Sequence, residues 1–279
     1  MSQNSLLGAV ATVLPSLPST SSAVPSPPAS LQRGFYLLYN CDFSCAQQEF
    51  TAWQELHPED PLGPVAEAWG HIFSEFIRLR VFEIPLLIRD SSYRSTARLS
   101  PDPAVGVKFE AALQKAETMA WARLAKDSRD PDALFAMTLA SGLRADYQAS
   151  LKNAVRASLR NASQSRTWGQ RLLAVDPNYY DAYLASGSCK YLVGDLATIC
   201  WVLRMQGVFG DRKEGLQELK LTAAHGRYLA PLARILLAVA YLRNKDIQQA
   251  KQLLSALARE FPDNPLFPAA IARLEPHAR

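Results

Sequence analysis

The residues best placed to bind something are cations. Lys152, Arg156 and Arg160 recur every four positions, Arg144, Arg166 and Arg171 lie close by, and Asp146 is the acid that opposes them. On a helix, side chains four apart stand one above the other, so these three would form a basic ridge on a predicted helix over 148–174. Leu151, Val155, Leu159 and Ala162 trace a separate stripe of that helix and are expected to face the core. Such a ridge is either a solvated helix face or a dock for an acidic peptide or an anionic surface. Arg144, Lys152, Arg156 and Arg160 are therefore the candidate partner-binding residues.

Side chains that could do covalent chemistry are not arranged for it. The sequence has no Gly-x-Ser-x-Gly elbow, no His-Glu-x-x-His helix and no phosphate-cradling glycine loop, and glycine is sparse at 13 residues. His57 precedes a helix-ending proline and His225 closes a helix, while His71 and His277 stand apart from both. An imidazole at a helix C-terminus is explained by the carbonyl dipoles there. Glu75 and Glu83 flank Arg78 and Arg80, the composition of a surface ion-pair cluster. Cys41 and Cys45 have three residues between them, not the two of a zinc knuckle, and Cys189 and Cys200 have no histidine at ligand spacing. Buried thiols are the expected role, with no catalytic residue, metal or cofactor.

The elements that must carry these residues read as helices. Apolar periodicity predicts helices near 32–40, 43–57, 63–82, 103–127, 132–146, 148–174, 179–193, 196–206, 212–225, 229–243, 246–260 and 265–276, with no sustained alternation of strand type. Asp42, Asp211, Asp246 and Asn264 are short side chains suited to cap helix starts. Asp130-Pro131, Asp176-Pro177 and Pro61 end the helices before them, because proline restricts its neighbour and has no amide to donate. Residues 85–101 read as an irregular connection.

One pattern organises the whole chain. Residues 38–64 recur at 242–268, with identities at Leu38/Leu242, Asn40/Asn244, Asp42/Asp246, Ala46/Ala250, Gln48/Gln252, Pro58/Pro262, Pro61/Pro265 and Pro64/Pro268. Gly34, Ala46, Phe50 and Pro58 keep the same gaps as Ala238, Ala250, Leu254 and Pro262. A small residue where two helices touch, a large apolar one a turn later and a proline at the end resembles the tetratricopeptide repeat, a helix pair of about 34 residues. The stretch from Asp176 through Gly187 to Tyr191 resembles the junction of two more such units, and the middle of the chain departs from the pattern. The Asn40 and Asn244 turns are expected to be capping positions.

The resemblance implies an all-α solenoid of antiparallel helix pairs, a right-handed superhelix whose concave groove, lined by the first helix of each pair, holds a peptide or partner protein. The expected organisation is a Pro/Ser-rich tail over 1–30 and a repeat domain over 31–279. The apolar run Leu6–Leu14 has the length of a signal-peptide core, but no Lys or Arg precedes Arg33, so an exported and a cytoplasmic chain are both open. No apolar stretch is long enough to span a bilayer, since Phe73–Leu87 is broken by Glu75, Arg78, Arg80, Glu83 and Pro85. A net charge of +4 without aromatics among basic clusters speaks against nucleic acid as the partner. The expected function is a non-catalytic protein-interaction module, with a scaffold part of a cell-envelope complex as the alternative and an enzyme assembled from distant residues as a third.

Overall fold

The computed structural model describes residues 30–81, 100–195 and 211–274. Most of the expected tail, the connection over 85–99, the helix expected at 196–206, and Glu83, Cys200 and His277 lie outside the described residues. Ser30, expected in the tail, caps the first helix by accepting from the Arg33 amide.

Every regular element among the described residues is helical. They are α1 (Leu31–Tyr39), α2 (Phe43–Leu56), α3 (Leu62–Arg78), α4 (Pro103–Lys126), α5 (Pro131–Ser150), α6 (Val155–Val175), α7 (Tyr183–Asp195), α8 (Arg212–His225), α9 (Ala230–Arg243), α10 (Ile247–Glu260) and α11 (Leu266–Leu274), with a 3-10 turn at Tyr180–Ala182 before α7. Each helix packs on its neighbours in the chain, and α3 also touches α1 and α5. Helices α3 and α5 are buried around most of their circumference, and α9 over its second half; α5 buries every residue from Ala133 to Ser141. The even-numbered α2, α6 and α8 bury only a narrow stripe. By burial, α3, α5 and α9 are the inner helices and α2, α6 and α8 the outer ones, and each fully buried Leu or Phe between neighbours contributes about 1.5–3 kcal/mol.

The same corners recur along the chain. From outer to inner helix, His57, Asp127, Asp176 and Phe261 each close a helix, and the amide three residues on bonds back to their carbonyls: Asp60, Asp130, Tyr179 and Asn264. Asp60, Asp130 and Asn264 then cap the next helix by accepting from Leu62, Ala133 and Leu266. Just past the ends of α1, α3 and α9, Cys41, Arg80 and Lys245 take φ of 65°, 57° and 62°. The next amides, those of Asp42, Val81 and Asp246, reach back to the carbonyls of Leu37, Phe76 and Tyr241. This is the left-handed helix stop that glycine usually makes, built here three times without one. Asp42, Asp246 and Asp211 cap α2, α10 and α8 as the sequence predicts.

At the crossings, a Cβ on Gly34 would lie 2.3 Å from the Phe50 ring, which is fully buried, as is Ala46 beside it. The matching Ala238, Ala250 and Leu254 are fully buried as well. Gly187 meets Gly215 where α7 crosses α8, and a Cβ on Gly215 would lie 2.8 Å from the Gly187 carbonyl oxygen. Glycine is needed there because backbone faces backbone. Pro58 and Pro262 are exposed corners.

The two ends of the described chain touch. Asn40 donates to the Asp263 carboxylate at 2.6 Å and accepts from the Asp263 amide at 3.0 Å, and Asn264 donates to the Tyr39 carbonyl at 2.7 Å. Tyr36 and Tyr39 pack on Phe261. Asn40 and Asn244 take the C-cap positions of α1 and α9 as expected, and the Asn40 side chain in addition closes a contact across 223 positions. Asn244, its counterpart, accepts instead from the Arg212 guanidinium.

Candidate interaction surface

The basic ridge does not form as one row. Helix α5 runs on to Ser150, Asn153 turns at φ 50° and α6 begins only at Val155, so Lys152 sits in the turn between two helices. Its ammonium stands 5.4 Å from the Tyr147 ring centre. Leu151 is buried as expected, Leu159 and Ala162 are half-buried, and Val155, expected in the core, is 51% exposed because it opens the first turn of α6.

Arg144 is likewise committed. It donates to Glu117 through two nitrogens and to Glu110 at 3.2 Å, bridging α5 to α4. Burial works against its charge, but Glu117 and then Glu110 outweigh that and raise its pKa. Sequence reasoning missed both partners because they lie 27 and 34 positions away. Arg166 turns inward and leaves a buried Nε without a partner.

Arg156 and Arg160 remain together on the exposed face of α6. That helix contains four arginines and no acid. Across from it, α4 places Trp121, 54% exposed, against Trp168 of α6 with ring centres 5.4 Å apart, edge to face. The Arg171 guanidinium lies 4.5 Å over the Trp168 ring and donates to the Ser128 carbonyl. The acids of α4, Glu110 and Glu117, are both held by Arg144, so this outer face is cationic. An exposed tryptophan at the edge of an acid-free helix was a legible signal for it.

The buried interior offers less room. Phe35, Tyr228 and Phe135 meet across it, with centres 5.1 and 6.2 Å apart, and Trp69 and Tyr179 pack on the same cluster. Trp69 and Phe73 are buried, whereas Tyr180 and Tyr183 are half-buried. Asp181, 3% exposed, accepts from the amides of Arg227, Tyr228 and Leu229 and so holds the turn into α9. Burial raises its pKa, and the three amides oppose the rise.

Glu75 also departs from expectation. It is buried, not a surface carboxylate: it takes two bonds from Arg78 and one at 2.7 Å from the Asp102 amide. The Arg78 guanidinium holds its pKa below the usual range against the cost of burial. One oxygen ties α3 to the start of α4 through the Asp102 amide, and both are held by Arg78 within α3.

A shallow cleft of about 430 Å³ between α3 and α4 is lined by Glu67, His71, Lys108, Ala111, Ala112 and Lys115. His71 Nε2 is 3.7 Å from Glu67, which also accepts from Gln54. Burial pushes the Cys41 thiol up to about 11 and raises Cys189, which keeps both protonated near neutral pH. Among the described residues no three His, Cys, Asp or Glu side chains come together as metal ligands, and no helix is long and apolar enough to cross a membrane. Compared with protein-family models, with curated proteins and with solved structures, the chain matches none.

Proposed function

We propose that this chain is a non-catalytic protein-interaction module: a tetratricopeptide-like superhelix of helix pairs that captures a partner protein or peptide. The observation that supports it best is the recurrence of one corner geometry at His57, Asp127, Asp176 and Phe261, each joining an outer helix to the next inner one. Stacked units of this kind present extended surfaces and seldom carry chemistry of their own. Because the rings of Phe35, Tyr228 and Phe135 fill part of the buried interior, we place the partner on the outer row, where Arg156 and Arg160 carry unbalanced charge.

Affinity capture followed by mass spectrometry tests this reading when wild type is compared with the Arg156→Glu/Arg160→Glu variant. The same protein should be retained by wild type and fall at least about tenfold in the variant, a loss of roughly 1.4 kcal/mol. Both residues are exposed, so thermal melts should coincide. A captured set that does not change with charge reversal would remove the outer row from consideration.

A further inference from the structure

Resting on that reading of the outer row, we propose that α4 and α6 together form a dock for one extended acidic segment bearing an aromatic or long aliphatic residue, with Trp121 as the anchor for that residue. At 100° per residue, Arg156, Arg160, Gln164, Thr167 and Arg171 fall within an arc of about 80° on α6, and all five are exposed. Arg156 to Arg171 spans about 22 Å at a rise of about 1.5 Å per residue. An extended chain of about seven residues covers that length. Residues four apart on a helix rise about 6 Å, close to the two-residue repeat of an extended chain, so alternate acids of the segment can meet Arg156 and Arg160 in turn.

Trp168 lies at the edge of this arc, on the side facing α4, and Trp121 stands beside it. Trp168 is half-buried and already carries Arg171 on its face, so it serves as the floor; Trp121 is the wall with free surface. Helix α6 has no acid and both acids of α4 are taken up by Arg144, so neither helix sets a free carboxylate against an incoming one; Lys108 and Lys115 lie on the other side of α4, in the cleft with Glu67, and take no part in the dock. Val107, 70% exposed, and Val155 add separate apolar points at the far end. A bilayer would be met by a continuous apolar face with cations on its flanks, and a nucleic acid by a series of open ring platforms. This surface has a single file of cations ending in one ring pair set edge to face, which suits a single peptide chain.

The test uses the full chain and a fluorescein-labelled peptide of about nine residues, long enough to span the file, with glutamate at alternate positions and a phenylalanine at one end. Controls are the same peptide with alanine for phenylalanine, one with lysine for glutamate, vesicles containing phosphatidylserine, and a short single-stranded oligonucleotide. By fluorescence anisotropy the phenylalanine peptide should bind more tightly than the alanine peptide, and the lysine peptide should not bind. Trp121→Ala should weaken the phenylalanine peptide about tenfold and leave the alanine peptide unchanged, whereas Arg156→Glu/Arg160→Glu should weaken both. Thr118→Glu, an exposed change one turn from Trp121, should also weaken both and serves if Trp121→Ala melts early. Equal binding of the two acidic peptides to wild type and Trp121→Ala would overturn the anchor while leaving the charge reading. No binding of either peptide, or tighter binding to vesicles or to the nucleic acid, would overturn the peptide dock itself.

Discussion

Asp181 shows what a single buried carboxylate contributes when its partners are amides. It satisfies three consecutive ones, of Arg227, Tyr228 and Leu229, which no helix supplies with acceptors because they precede the first turn of α9. A buried amide left without an acceptor costs about 1–3 kcal/mol. Asp181→Ala should therefore lower unfolding free energy by about 3 kcal/mol or more in urea titration, and Asp181→Asn, which keeps one oxygen, by less. A cost under about 1 kcal/mol for the alanine variant would mean that water replaces the carboxylate.

Among the helices, the two matching pairs solve one packing problem with different volumes. The first uses Gly34 against Phe50; the last has Ala238 and Leu254, both fully buried, at the equivalent places. Although alanine favours a helix over glycine by about 1 kcal/mol, a methyl group on Gly34 would strike the fully buried Phe50 ring, at about 1–3 kcal/mol. Gly34→Ala should destabilise the wild type, and the penalty should shrink in a Phe50→Leu background, which copies the last pair. A double-mutant cycle should give a coupling of about 1 kcal/mol or more. Additive effects would show that the two pairs do not share a packing rule.

Across the molecule, the contact of Asn40 with Asp263, and of Asn264 with the Tyr39 carbonyl, joins first and last helix pairs. A row of repeats with free ends frays from those ends. With its ends joined, this chain should lose protection at both together. Asn264→Ala removes the bond to Tyr39 and the cap on α11, and should cost about 1–3 kcal/mol. Hydrogen exchange should then rise in α1 as well as in α10 and α11. Faster exchange confined to α11 would show that the end-to-end contact carries no weight.

The helices, their caps and the spacing of the matching stretches were readable from the chain, because these depend on short-range physics: apolar spacing, an acid before a first turn, a proline after a last one. Asp42, Asp246, Gly34 and Phe50 do what their neighbours in the chain imply. The break expected at 147 falls instead between Ser150 and Val155, and its place was not legible, since the left-handed turn is made at Asn153, and at Cys41, Arg80 and Lys245, mostly by residues with no strong preference for it. Which charges are free emerges only once the helices are assembled. Arg144 and Glu75 look like surface groups until the partners of one, Glu110 and Glu117, and the Asp102 amide bound by the other are brought in from distant positions. An ion pair or a closing contact is set by where two helices meet in space, and nothing local to either residue encodes that distance.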